Sequence, residues 1–145
     1  MKTLISLLAL FALSLSAHAD VSSQASHRFG AYELHYSILP STFIPADVAA
    51  AAGIKRSKYE SLINVSVTRT GEYGGLPVSL SGTVANLMQQ QKSLVFQTIE
   101  EQNAVYYLAP LRHTGEEQIH ITLEATVEGG EPMNLKFTTK LYPDN

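Results

Sequence analysis

The chain has no cysteine and no tryptophan among its 145 residues, and only 16% of them are charged. Without cysteine there is no disulfide staple, no thiol nucleophile, no thiolate metal ligand and no side chain to carry a lipid. Basic side chains are scarce as well: ten Lys and Arg stand against 13 Asp and Glu, a net charge of −3. A nucleic-acid surface needs concentrated positive charge to meet phosphates, and this balance offers none. No apolar run reaches the roughly 18–20 residues that cross a bilayer as a helical anchor. Stability must come from a hydrophobic core, for which 45% apolar residues supply the material.

The longest apolar run opens the chain. "MKTLISLLALFALSLSAHA", Met1 to Ala19, combines Lys2, the run Leu4 to Leu15 broken only by Ser6 and Ser14, and Ala17-His18-Ala19. A basic start, a short apolar core and small residues two apart form the pattern of a cleaved secretory signal. The expectation is export, cleavage after Ala19 and a mature chain beginning at Asp20 without a membrane anchor.

After a polar, aperiodic stretch over residues 20–30, expected to be a loose lead-in, the apolar period becomes 2, the mark of half-buried strands. Tyr32, Leu34, Tyr36 and Ile38 alternate with polar or small neighbours, as do Ile63, Val65 and Val67. Val78, Leu80 and Val84 share a face with Gly82. Ser93–Ile99 and Ala104–Leu111 are denser and read as central strands. Ile119 to Val127 is the longest clean alternation, and Leu135, Phe137 and Leu141 close the chain. Gly-, Asn- and Pro-bearing turns separate these segments, among them "TGEYGGLP" (Thr70–Pro77) and "EGGEPM" (Glu128–Met133). Residues 31–145 are therefore expected to form one all-β domain. Its expected architecture is an antiparallel, immunoglobulin-like β-sandwich of about seven strands, with a closed barrel as the alternative.

One short helix interrupts this pattern between the first two expected strands. Pro40 ends a strand, Pro45 suits a first helical turn, and Asp47 places negative charge where the helix dipole favours it. Ala46 and Ala49 to Ala52 are strong helix formers, and Gly53 suits a left-handed C-terminal cap. Ile44, Val48 and Ala52 at spacing four predict the face that docks. The helix is expected to plug an open end of the sandwich while the chain crosses between sheets.

Recognised chemistry is sparse. The five histidines have no metal-ligand spacing, so neither a metal site nor a cofactor is expected. No serine stands in an activating motif, and no Gly-rich phosphate loop is present, so no catalytic residue is assigned. Two surface features are candidates for binding. Lys55, Arg56 and Lys58 concentrate positive charge directly after the helix, beside Tyr59, where a guanidinium fork can meet an anion. Tyr106 and Tyr107 are forced to opposite faces by strand alternation, so one packs inward and the other is free for contacts. In the loop before Lys92, Asn86 is placed to satisfy turn backbone groups, and Gln89, Gln90 and Gln91 offer a polar rim.

The segments "YELHYSILPSTF" (Tyr32–Phe43), "VAAAAGIKRSK" (Val48–Lys58), "INVSV" (Ile63–Val67), "SGTVANLMQQQKSLVF" (Ser81–Phe96), "EEQNAVYYL" (Glu100–Leu108) and "LKFTTKLY" (Leu135–Tyr142) carry a resemblance. They resemble a family of exported Gram-negative bacterial domains, domain-of-unknown-function family 4426, across nearly the whole mature chain. The resemblance implies a single exported domain and brings no activity, cofactor or catalytic residue. The expected function is a non-catalytic binding or accessory module of the periplasm that contacts protein partners. The alternative is a small-ligand or anion binder at the helix-to-strand junction near Arg56, followed by a hydrolase of unrecognised type.

Overall fold

The computed structural model describes residues 24–144. The expected secretory signal and its expected cleavage point lie outside the described residues. Among the described residues there are nine strands: β1 Gln24–Phe29, β2 Tyr32–Pro40, β3 Glu60–Arg69, β4 Ser79–Asn86, β5 Gln91–Ser93, β6 Gln97–Glu101, β7 Ala104–Arg112, β8 Glu117–Thr126 and β9 Met133–Leu141. They form two antiparallel sheets, in the orders β1-β2-β3-β7-β6 and β5-β4-β8-β9. Among the described residues no ladder joins the two sheets, so the layers stay separate rather than closing as a barrel.

Period-2 alternation builds the core. Leu34, Ile63, Val65, Val67, Ala109 and Leu111 of one sheet meet Ile119, Ile121, Leu123, Ala125 and Leu135 of the other. Each full burial of such an aliphatic side chain contributes about 1.5–3 kcal/mol. At the open side Tyr36 stacks on Phe137 with ring centroids 3.9 Å apart, tying β2 to β9, and His27 of β1 lies parallel to Tyr36 beyond it. One close approach demands glycine: a Cβ at Gly75 would lie 1.9 Å from the Val105 carbonyl oxygen, where Val105 N also donates to Gly75 O.

Four expectations change. The lead-in is not loose beyond residue 23, because Gln24–Phe29 pairs along β2 as a six-residue edge strand, with Gly30 turning the hairpin at φ 60°. Polarity there reflects an edge strand with one wet side, not absence of structure. The dense run Ser93–Ile99 is not a central strand. It breaks into β5 and β6, the edges of two different sheets, so the count is nine rather than about seven. The helix, α1 Ala46–Ala52, lies between β2 and β3, which are neighbours in one sheet. It decorates that connection and does not cross between layers.

The fourth change concerns the docked face of α1. Gly53 does take the left-handed cap at φ 68°, and Ile54 N donates to Ala49 O while Gly53 N donates to Ala50 O. These two bonds form a Schellman cap, which satisfies carbonyls that the helix end would otherwise leave open. The helix seats on Ala49, 2% exposed, whereas Val48 stands 50% exposed. A methyl side chain lets the helix backbone approach its support closely, and that turns the bulkier Val48 outward. Ser41, in the 3-10 turn Ser41–Phe43 before α1, closes the excursion by bonding both Ser57 N and Ser57 O at 2.9 Å.

Candidate functional site

The register gathers several strand ends at one pole. Pro40 lies opposite Ser61, Glu60 opposite Arg112, Asn86 opposite Ile119 and Glu117 opposite Leu141. The end of β9 is held to the helix-to-strand junction by Asp144, whose N–H donates to Lys58 O at 2.9 Å and whose carboxylate accepts from the Thr42 hydroxyl. Both sheets therefore contribute to the same end of the sandwich, where the β2–β3 connection carries α1.

Two cavities open there. One, of about 330 Å³, has Val84, Leu94, Leu111, Ile119 and Leu141 as its apolar wall, with Glu60, Lys92, Arg112 and Glu117 as charged groups and Asn86 and Gln90 beside them. The second, of about 310 Å³, is lined by Lys55, Tyr59, Glu60, Arg112, His113 and neighbouring hydroxyls. Glu60 and Arg112 belong to both.

The turn beside the first cavity is rigid. Asn86 Oδ1 accepts from Met88 N and Gln90 N at 3.0 Å, and its Nδ2 donates to Gln90 Oε1 at 2.8 Å. This is the role that asparagine plays in turns. The result is that Leu87 and Met88 project from a fixed tip, both exposed.

Of the residues singled out from sequence, the pole brings together Lys55, Arg56, Lys58 and Tyr59. Lys55 and Tyr59 line the second cavity, and Lys58 Nζ stands 5.0 Å from the Tyr59 ring centroid, a cation–π contact. Arg56 lines neither cavity; its Nη2 donates to Thr42 O at 2.9 Å and braces the excursion around α1. Tyr106 and Tyr107 lie elsewhere, on opposite faces of β7. Tyr107 is 7% exposed, and Tyr106 is half-buried with its hydroxyl donating to Glu101 at 3.3 Å. Burial, with the Glu101 charge and hydrogen bond added, pushes the Tyr106 phenol above its ordinary value.

Sequence reading missed Glu60, Arg112 and His113. Glu60 and Arg112 are single charges at strand ends, and only the β3–β7 register makes them partners. His113 is buried, with Nδ1 donating to Gly115 O at 3.0 Å, which leaves Nε2 to accept from Ser61 Oγ at 3.3 Å. A hydroxyl on an oriented imidazole is a nucleophile–base arrangement in outline. Ser61, however, is buried and lines neither cavity, so the pair satisfies polar atoms in the core. Among the described residues no group of three His, Asp or Glu side chains converges to hold a metal.

These features define an antiparallel two-sheet β-sandwich with a short helix in the connection at one pole. The chain belongs to the DUF4426 family, a domain of unknown function, whose family model matches residues 26–144. The crystal structure of a DUF4426 family protein from Pseudomonas aeruginosa PAO1 is similar over 85% of this chain and 98% of that one, with a TM-score of 0.76 and 27% identity. Two structures of FetP from uropathogenic Escherichia coli strain F11 share the fold. A copper-bound variant matches at TM-score 0.61 and 13% identity, over 83% of this chain and 95% of that one. The protein as isolated, recombinantly expressed in the periplasm of Escherichia coli, matches at 0.61 and 15%, over 86% and 97%. No curated protein matches the chain in sequence.

Proposed function

We propose that this chain is an exported, non-catalytic binding or accessory module of the periplasm that acts through protein contacts at the pole that bears α1. One observation carries the reading. Eight large apolar side chains stand exposed among the described residues, and six of them, Phe43, Val48, Tyr59, Leu87, Met88 and Tyr142, belong to this pole. Apolar and aromatic groups gathered on one surface mark an interaction site, whereas scattered ones do not. The apolar N-terminal run with its A-x-A step supports export, and no helix among the described residues is long and apolar enough to cross a membrane.

The strand orders support an immunoglobulin-like topology. Read with β2 as the first strand, β2-β3-β7-β6 corresponds to the A-B-E-D sheet and β4-β8-β9 to C-F-G. On that reading β5 is an added edge strand and β1 precedes the common fold.

The test is capture of partners from periplasm by the tagged mature chain, with Phe43→Asp/Leu87→Asp compared with the parent. Loss of the captured partner with an unchanged melting temperature is the expected result. A partner retained by the double variant would place the contact surface elsewhere. A second reading, small-ligand binding, has its own support in the two cavities that meet at Glu60 and Arg112.

A further inference from the structure

Glu60 opens β3 and is only 7% exposed. Among the described residues no cationic nitrogen stands within 4.0 Å of its carboxylate. The side chain lines both cavities rather than being sealed in the core, so its unpaired carboxylate is a ready acceptor for a cation that arrives from outside. Arg112 is its register partner on β7, yet the two side chains do not close into an ion pair. Both side chains line both cavities.

The first cavity sets the two among a specific chemistry. Glu60 and Glu117 balance Lys92 and Arg112, so the charged rim has no net charge. A rim of this kind disfavours a simple anion, which would meet Glu60, and a simple cation, which would meet Arg112. It accommodates a molecule that carries both charges a short distance apart. Beneath the rim the wall of Val84, Leu94, Leu111, Ile119 and Leu141 asks for an apolar body. A volume of about 330 Å³ suits a ligand of roughly amino-acid size.

We propose that this cavity binds a small zwitterion with an apolar side chain, of the class of leucine or phenylalanine. Glu60 accepts from the ammonium, the Arg112 guanidinium meets the carboxylate in a charge-assisted fork, and the side chain covers the apolar wall. The proposal rests on the small-ligand reading and names its ligand class.

Isothermal titration of the mature chain with L-leucine, L-leucinamide and N-acetyl-L-leucine tests it. The amide keeps only the positive charge, and the acetyl derivative keeps only the negative one. L-leucine is expected to bind at least about tenfold more tightly than either analogue, since each analogue leaves either Glu60 or Arg112 without its opposite charge. Glu60→Gln should lose about tenfold of the leucine affinity. Arg112→Gln, at an exposed position, should lose a similar factor without moving the melting temperature. Tighter binding of N-acetyl-L-leucine than of leucine would overturn the zwitterion while leaving a small-ligand site standing. Leucine binding unchanged in Glu60→Gln would overturn it likewise. No heat with any of the three would remove both the proposal and the small-ligand reading of this cavity.

Discussion

The phenol of Tyr107 holds the backbone of Val78 in both directions, donating to Val78 O at 3.1 Å and accepting from Val78 N at 2.9 Å. Tyr107 lies on β7 of the five-stranded sheet, and Val78 leads into β4 of the four-stranded one. A single side chain thus fastens the start of one layer to the middle of the other.

Removing that hydroxyl leaves a backbone donor and acceptor without their partner in a half-buried place. Tyr107→Phe is therefore expected to destabilise the domain by about 1–3 kcal/mol. Tyr106→Phe loses only one longer bond to an exposed Glu101 carboxylate and should stay within about 0.5 kcal/mol of the parent. Urea unfolding of the two variants checks the contrast, and equal losses would mean that the bonds to Val78 contribute nothing special.

The helix supplies a second contrast between neighbours. Ala49→Asp forces a charge into the seat of α1 and is expected to cost about 2 kcal/mol or more. Val48→Asp changes an exposed position and should cost about 0.5 kcal/mol or less. Thermal melts in which Val48→Asp is the more damaging variant would show that the helix seats on its other face.

The third prediction concerns alkaline pH. Burial raises the Tyr36 phenol above its ordinary value, and burial with Glu101 raises Tyr106. The folded state thus keeps these phenols neutral at a pH where the unfolded chain has begun to release their protons. Stability from this source is complete below the ordinary phenol range, near pH 10, and is lost as pH rises through the folded values. Lys140 acts in the same direction, since its hydrogen bond to Glu116 raises the ammonium. That pair lies on the surface and contributes little. Melting temperatures from pH 9 to 11.5 should fall more gently in Tyr36→Phe/Tyr106→Phe than in the parent. The double variant keeps the ring that stacks on Phe137, so parallel slopes would assign the alkaline loss to other groups.

Much of this architecture was legible locally. Alternation from Ile119 to Val127 places Ile119, Ile121, Leu123 and Ala125 inward because strand parity depends only on the chain's own pleat. The helix and its left-handed Gly53 were equally readable, since propensity and capping act within a few residues. So was the opposition of Tyr106 and Tyr107. Which tyrosine faces inward was not, because that follows from the register of β7 against β3 and the approach of Val78. The same limit hid the β1 strand, whose polar sequence becomes ordered by pairing with β2, and the split of Ser93–Ile99 between two sheets. The seat of α1 on Ala49 depended on the surface beneath it. The meeting of Glu60 with Arg112, and of both with Leu141 and Asn86, joins residues from four strands and has no local signature. Sequence determined the periods and caps, which are short-range; tertiary structure decided pairing, facing and the cavity, because those depend on partners far along the chain.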